Sequence, residues 1–362
     1  MEDFLADVRA LVECESPSSD LAAVARSADV VARIGTARLG VEPERIVLDG
    51  RTHLRWRLGS TPSRVLLLGH HDTVWPLGSL ATRPYSVEGG VLRGPGCFDM
   101  KAGLVMAFHA AAGLDGVTLL VTGDEEIGSP SSRALVEEEA KAAVAALVLE
   151  ASADGGALKT ERKGASSYEV RLTGRAAHAG LEPERGVNAT LELAHQVLAV
   201  SALADLARGT TVTPTTARSG TTANTVPASA SFAVDVRART AAEQHRVHRA
   251  IRALPPVLPG ATIEVLGEVN RPPLEAVASA ALYDRVHDLA LRLGLPAPTS
   301  AAVGGASDGN LTAGVGTPTL DGLGAVGGGA HAEDEHVLVD HLPGRTALLR
   351  ALVEDLLAAD LG

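Results

Sequence analysis

The chain has 362 residues, 46% of them hydrophobic and 21% charged, which is enough apolar material for more than one globular core. A formal net charge of −12 argues against nucleic acid as a partner, and 2 cysteines far apart in sequence leave no disulfide framework or thiolate metal site. Aromatic residues make up only 2%, so the core must rest on Ala, Val and Leu.

The N-terminal stretch "MEDFLADVRALVECESPSSD" predicts an amphipathic helix ending near Ser16 and Pro17. It carries early acids instead of a basic leader, and no long apolar run follows. It is therefore neither a signal peptide nor a membrane span, and a cytoplasmic location is expected. Leu21 to Leu39 has helical spacing. "RIVLD", "HLRWRL" and "RVLLLGH" read as strands, the last fully buried. "MKAGLVMAFHAAAGL" reads as a helix, and "VTLLVTG" and "VAALVLE" are again continuous apolar strands. Such runs alternating with helices predict an α/β fold with a mixed, mainly parallel sheet sandwiched by helices.

Near residue 164 the pattern changes. "SSYEVRLTG" alternates, "VNATLELAHQVLAVSALAD" is helical, "TTVTPTTARSG" and "ASASFAVDVRAR" alternate, "TAAEQHRVHRAIRALP" is a capped helix and "ATIEVLGEV" is a strand. The order β-α-β-β-α-β is that of a ferredoxin-like sandwich. After "NRPPLE" the chain returns to helix, strand and a last helix, "HLPGRTALLRALVEDLLAADL". The reading is a discontinuous domain of residues 1–163 and 273–362, with residues 164–272 inserted into it.

In open α/β sheets ligands sit beyond the carboxyl ends of the strands. Here those ends carry His70, His71 and Asp72; Asp124, Glu125 and Glu126; and Glu150. The turn "LRGPGCFDMKAG" presents Asp99 at the start of a helix, and "DGLGAVGGGAH" ends in His331. Imidazoles and carboxylates without thiolates suit zinc. Five ligands with one bridging carboxylate fill two sites, as in two-metal hydrolases, where the ions sit about 3.5–4 Å apart. His70 and Asp72 point to one side of an extended backbone, so Asp72 can accept a hydrogen bond from His70, while His71 faces away. Of Glu125 and Glu126, one can hold a metal while its neighbour faces the attacking water as general base.

The segments "GHHDTVWP", "GPGCFDMKAG", "GDEEIGS", "LE" at 149–150, "GRAAHAG" and "GGAH" occur in the order seen in the co-catalytic zinc metallopeptidase family. That family contains carboxypeptidase G (glutamate carboxypeptidase), acetylornithine deacetylase, succinyl-diaminopimelate desuccinylase and aminoacylase. The likeness spans nearly the whole chain and is greatest to the carboxypeptidase G type. It implies two Zn2+ ions, with Co2+ or Mn2+ as substitutes. His70, Asp99 and Glu150 would hold one ion, and Asp99, Glu126 and His331 the other. Glu125 would be general base and acid, Asp72 would orient His70, and the Asp99–Met100 bond would be cis. Residues 164–272 would form a lid and dimerisation domain. His178 would then reach the partner subunit's site to stabilise the oxyanion, and Asn224, Arg237 and Arg271 would meet the substrate's carboxylate.

Cys97, Phe98 and Met100 depart from many members and bear on substrate size. Asp308 lies where the family often has an Asp near the site, and Trp75 and Pro76 follow the metal strand. The implied activity is hydrolysis of an amide or peptide bond in a small molecule or short peptide with a free carboxylate, by a homodimer with no nucleic-acid or membrane partner. The alternatives are an N-acyl-amino-acid deacylase and a non-catalytic dimeric binding protein on the same scaffold. A nucleotide-binding reading fails, because "GPGCFDMKAG" lacks the third glycine of a dinucleotide fingerprint and the Lys-Ser/Thr ending of a phosphate loop.

Overall fold

The computed structural model describes residues 1–60 and 62–359. The chain divides into two compact units, Met1–Arg162 with Leu274–Gly362, and Lys163–Pro273.

The first unit is built on a six-stranded sheet in the order Glu44–Leu48, Arg51–Leu58, Val117–Thr122, Val65–His70, Ala145–Val148, Thr319–Leu320. Its first two junctions are antiparallel and its last three parallel. The strands Val65–His70, Val117–Thr122 and Ala145–Val148 are buried at every position, as apolar runs at the centre of a parallel sheet must be. Alternate residues serve opposite faces. Val65, Leu67, Leu119 and Leu147 join the main core with Val8, Val31, Leu104, Val286 and Leu352 from five helices. Leu66, Leu68, Leu120 and Val148 pack instead with Val136 and Leu311. Trp56 and Phe108 meet edge to face at 5.5 Å and fill the layer that a nearly aromatic-free sequence otherwise builds from aliphatics.

Local chemistry sets the ends of these elements. Asp20 accepts from the Ala23 N–H at 2.9 Å to start the helix Leu21–Leu39, and Gly40, at φ 75°, ends it. The first helix stops at Val12, short of the expected Ser16. Pro17 has no N–H to continue a helix, and the flanking serines pair instead with Thr73, three residues past the strand Val65–His70. Thr73 N donates to Ser16 O at 2.8 Å, and Ser18 N donates to Thr73 O at 3.2 Å. The helix expected from Met100 begins at Ala102, after a turn in which Asp99 and Met100 leave helical geometry and the bond between them is cis. A second small sheet, which the sequence reading passed over, joins Ser86–Glu88, Val91–Arg93, His336–Leu338 and Gly327–Gly328. Strands of two or three residues carry too little periodicity to be read. The last helix runs Leu342–Ala358, and Asp360 and Leu361, also assigned to it from sequence, lie outside the described residues.

The second unit is an antiparallel sheet in the order Thr211–Ser219, Ser229–Ala238, Gly164–Thr173, Thr262–Arg271. With the helices Ala189–Ser201 and Ala241–Arg252 this is the ferredoxin-like arrangement. Tyr168, Val170, Leu172, Phe232 and Val234 form its core with Val200, Val247 and Ile251. Where the chain leaves and re-enters the first unit, Arg162 N donates to Leu274 O at 2.9 Å and Leu274 N to Arg162 O at 3.1 Å. Among the described residues no helix is long and apolar enough to cross a membrane.

Candidate metal centre

His70 closes the strand Val65–His70 with its side chain 2% exposed. Its Nδ1 lies 2.9 Å from the carbonyl oxygen of Asp72, which leaves Nε2 for another partner. That Nε2 is 3.4 Å from Asp99 Oδ1 and 3.5 Å from Glu150 Oε1. On the other side of Asp99, Oδ2 is 3.2 Å from His331 Nε2, which is 3.1 Å from Glu126 Oε2. Asp99 therefore belongs to two trios, His70–Asp99–Glu150 and Asp99–Glu126–His331, in each of which the donor atoms lie within 4.8 Å of one another. All of these residues belong to the first unit.

The donors fit divalent cations. His70 Nε2, Asp99 Oδ1 and Glu126 Oε1 are buried without a hydrogen-bond partner, and buried polar atoms are seldom left so. The field is strongly negative. Burial disfavours the imidazolium of His70, yet Asp72, Asp99 and Glu150 raise its pKa well above the ordinary value. Hydrogen bonds donated by the His331 ring to Asp99 and Glu126 push its pKa up to about 10. Cations coordinated between the two sets would satisfy the same field without those protons.

The acidic triplet divides its work. Asp124 accepts from Ser131 N at 2.8 Å, Ser131 Oγ at 2.6 Å, Ser132 N at 3.2 Å and Ser132 Oγ at 2.5 Å, closing the turn. Glu126 joins His331, and Glu125 stands half-buried beside it in the single turn Glu125–Ile127. Asp72 meets His70 mainly through its own carbonyl, its carboxylate Oδ1 being 3.5 Å away. That carboxylate accepts from Ser18 Oγ at 2.6 Å and from the N–H groups of Glu125 and Glu126 at 3.2 Å each. It thus couples the His70 strand end to the acidic turn. His71 faces away, bonded to Ser27 Oγ and the Thr52 carbonyl, and burial lowers its pKa to about 4.

Further supports lie behind the trios. Arg162 stands 3.6 Å from Glu150 Oε2 and is held by Asp321 at 2.7 Å. Asp308 accepts from Thr122 Oγ1 at 3.1 Å and contacts Ser129, behind the strand that leads to the triplet. His331 sits at φ 62° at the tip of the hairpin between Gly327–Gly328 and His336–Leu338, a left-handed conformation that His tolerates better than most residues. Phe98 and Cys97 belong to the main core, Phe98 lying against Gly327. Met100 places its sulfur 3.3 Å from the His70 amide. Trp75 donates from Nε1 to Glu335 at 2.7 Å, while Pro76 is exposed.

Sequence reasoning missed Ser18, Arg162, Asp321 and Glu335. The first three act from 54, 12 and 159 residues away from their partners Asp72, Glu150 and Arg162, with no local pattern to mark them. Glu335 is hidden in the acidic run "HAEDEH", where only its distance of four from His331 marks it out.

In the second unit His178 and Asn224 are neighbours. Ala177–His178 pairs with Thr225–Val226, and Ala179 N donates to Asn224 O at 2.9 Å. His178 is exposed, its Nδ1 accepting from Gly180 N and Leu181 N at 3.1 Å each. Arg237 and Arg271 both stand in register with Ala165, one on each side of the central strand. Arg237 pairs with Asp235 at 3.0 Å, and Arg271 is 4% exposed.

The sequence matches the profile described as Peptidase family M20/M25/M40 over residues 66–355. It is 32% identical over 290 residues to carboxypeptidase G2 of Pseudomonas sp. (strain RS-16), covering 76% of this chain and 70% of that protein. Its fold is similar to that of aminopeptidase PepT from Bacillus cereus, with a TM-score of 0.76 at 22% identity over 98% of this chain and 97% of the other. It is also similar to an M20 family metallo-carboxypeptidase, Sso-CP2, from Sulfolobus solfataricus, with a TM-score of 0.76 at 16% identity over 98% and 99%.

Proposed function

The chain belongs to Peptidase family M20/M25/M40 and is a metallo-amidohydrolase of the exopeptidase kind; from that premise we propose that it cleaves the amide bond of a small substrate carrying a free carboxylate, releasing a C-terminal amino acid such as glutamate. The observation that carries the reading is Asp99, whose two oxygens each face one histidine-containing trio. His70, Asp99 and Glu150 would hold one Zn2+ and Asp99, Glu126 and His331 the other. When bound, the ions would supply Lewis acidity toward the scissile carbonyl and lower the pKa of the attacking water.

The chain's own residues do the rest. The Glu125 carboxylate takes a proton from the attacking water as the new C–O bond forms, and delivers it to the amine nitrogen as the C–N bond breaks. Asp72 holds the amides of Glu125 and Glu126, keeping base and ligand in fixed relation. His178 donates to the developing oxyanion of the partner subunit's substrate, and Asn224, Arg237 and Arg271 bind the substrate carboxylate. Support for a homodimer through the second unit comes from the helix Ala189–Ser201, which exposes Leu191 and Leu198 to 53% and 71%, next to the edge strand Thr211–Ser219.

The test is metal analysis of the purified protein together with a substrate panel. Two equivalents of metal and preferential turnover of peptides or N-acyl compounds ending in glutamate are expected. Preference for N-acetyl or N-succinyl derivatives of amino acids other than glutamate over peptides would transfer the same centre to deacylation of N-acyl amino acids, and no amide turnover by metal-loaded protein would overturn the proposal.

A further inference from the structure

Glu335 carries a negative charge into the interior with 4% exposure, and every acceptor position of its carboxylate meets an N–H group. Oε1 accepts from Phe98 N at 2.9 Å and Asp99 N at 3.0 Å; Oε2 accepts from Gly96 N at 2.9 Å and Trp75 Nε1 at 2.7 Å. An amide side chain in this place would turn at least one N–H toward another N–H, so the four donors select a carboxylate. Buried Lys101, whose ammonium donates to Cys14 O at 3.1 Å, supplies positive charge from the far end of the same turn.

What these bonds connect is specific. Three of the donors belong to the turn that presents Asp99, the residue shared by both trios. Glu335 itself belongs to the hairpin that presents His331. The loop between them is closed on itself by Ala332 N to Gly329 O at 2.8 Å and Glu335 N to Ala332 O at 3.1 Å. Gly329, at φ 74°, is required there, because a Cβ would stand 2.8 Å from Glu335 N. Asp99 and His331 are therefore held in relation to each other through Glu335. His70 and Glu150 have separate supports in the Asp72 carbonyl and Arg162.

We propose that Glu335 is a positioning residue of the metal centre that locks the Asp99 turn to the His331 hairpin, and so governs the Asp99–Glu126–His331 site in preference to the His70–Asp99–Glu150 site. The inference rests on the two-ion reading given above. The indole of Trp75 caps the arrangement, with the Arg83 guanidinium 4.8 Å from its ring centre and Arg83 paired at 2.7 Å to Glu333 of the same hairpin.

The experiment is a metal titration of the metal-stripped full chain with Zn2+, followed by calorimetry, for wild type, E335Q and W75F, with steady-state kinetics at each metal concentration. E335Q is expected to weaken one of the two equivalents by about 10–100-fold, the range for losing a residue that orients a metal ligand. The other equivalent should stay within about threefold, kcat should fall at limiting metal and recover in excess, and KM should not change. W75F removes one donor and keeps the ring, so it should change the same equivalent in the same direction by less, and it decides the matter if E335Q does not fold. Wild-type affinity for both equivalents in the variants, or equal weakening of both, overturns the proposal. A wild-type chain that takes up fewer than two equivalents overturns the two-ion reading and this inference with it, whereas a wild type with two equivalents and unchanged variants overturns this inference alone.

Discussion

Glu125 and Glu126 are adjacent in sequence, and it is the Glu126 carboxylate that lies 3.1 Å from His331 Nε2. E125Q should therefore leave the trios intact and remove the base. The expected result is a fall in kcat of about 10²–10⁴-fold with unchanged metal content and KM; retained turnover would put the proton elsewhere. The five proposed ligands were legible because each is an acid or imidazole at the end of an apolar run or a glycine-rich turn. His71 was separable from His70 by strand alternation alone. The work of the Asp72 carboxylate was not legible. It depends on Ser18 and on the amides of a turn 53 residues onward, and side-chain type alone carries no record of such a partner.

At the scale of the element, two glycines, one in a helix and one in the segment after Thr319–Leu320, show how tightly the chain is pressed against the strand end that carries Glu150. A Cβ at Gly103, in the helix Ala102–Ala111, would stand 2.2 Å from Leu149 O, and one at Gly324 equally close. G103A gains helix propensity of about 1 kcal/mol but must push the carbonyl before Glu150 aside, and overpacking costs about 1–3 kcal/mol. The collision is with backbone, so the cost should win. G103A is expected to lower Tm and weaken metal binding together, as thermal melts with and without Zn2+ would show.

In the second unit, the helix Ala241–Arg252 carries Glu243, which hydrogen bonds from Arg246, with help from Arg208 and Thr210, hold at a pKa of about 2. Its folded value is below the ordinary 4.5, so the unfolded chain binds more protons between those values. The stabilisation is complete above pH 4.5 and lost as pH falls toward 2. Wild type should melt above E243Q at neutral pH, and the gap should close through that window; a constant gap would assign the effect to shape and not to charge. Helices and long strands of both units were legible from periodicity. The cis bond after Asp99 followed from the family resemblance and not from periodicity. The miniature sheet that holds His331 was not legible, because its form is set by tertiary hydrogen bonds that no local pattern encodes.

At the scale of the whole molecule, the change from continuous to alternating apolar runs near residue 164 marked the insertion, and the return to helix after "NRPPLE" marked its end. The pattern did not reveal how the junction is finished. Arg162 and Leu274 exchange both of their backbone hydrogen bonds, which makes them a narrow antiparallel pair with Cα atoms about 5.5 Å apart. Two residues in a tight reverse turn span that gap. The chain therefore leaves the first unit and returns to it through a doorway whose jambs are already joined, and what hangs from it can be unhooked. Replacing residues 163–273 by Asn-Gly should give a shortened polypeptide that still folds and still takes up metal, yet turns over no substrate. Retained turnover would show that the excised segment contributes nothing to the chemistry, and collapse of the remainder would show that the doorway does not stand without it.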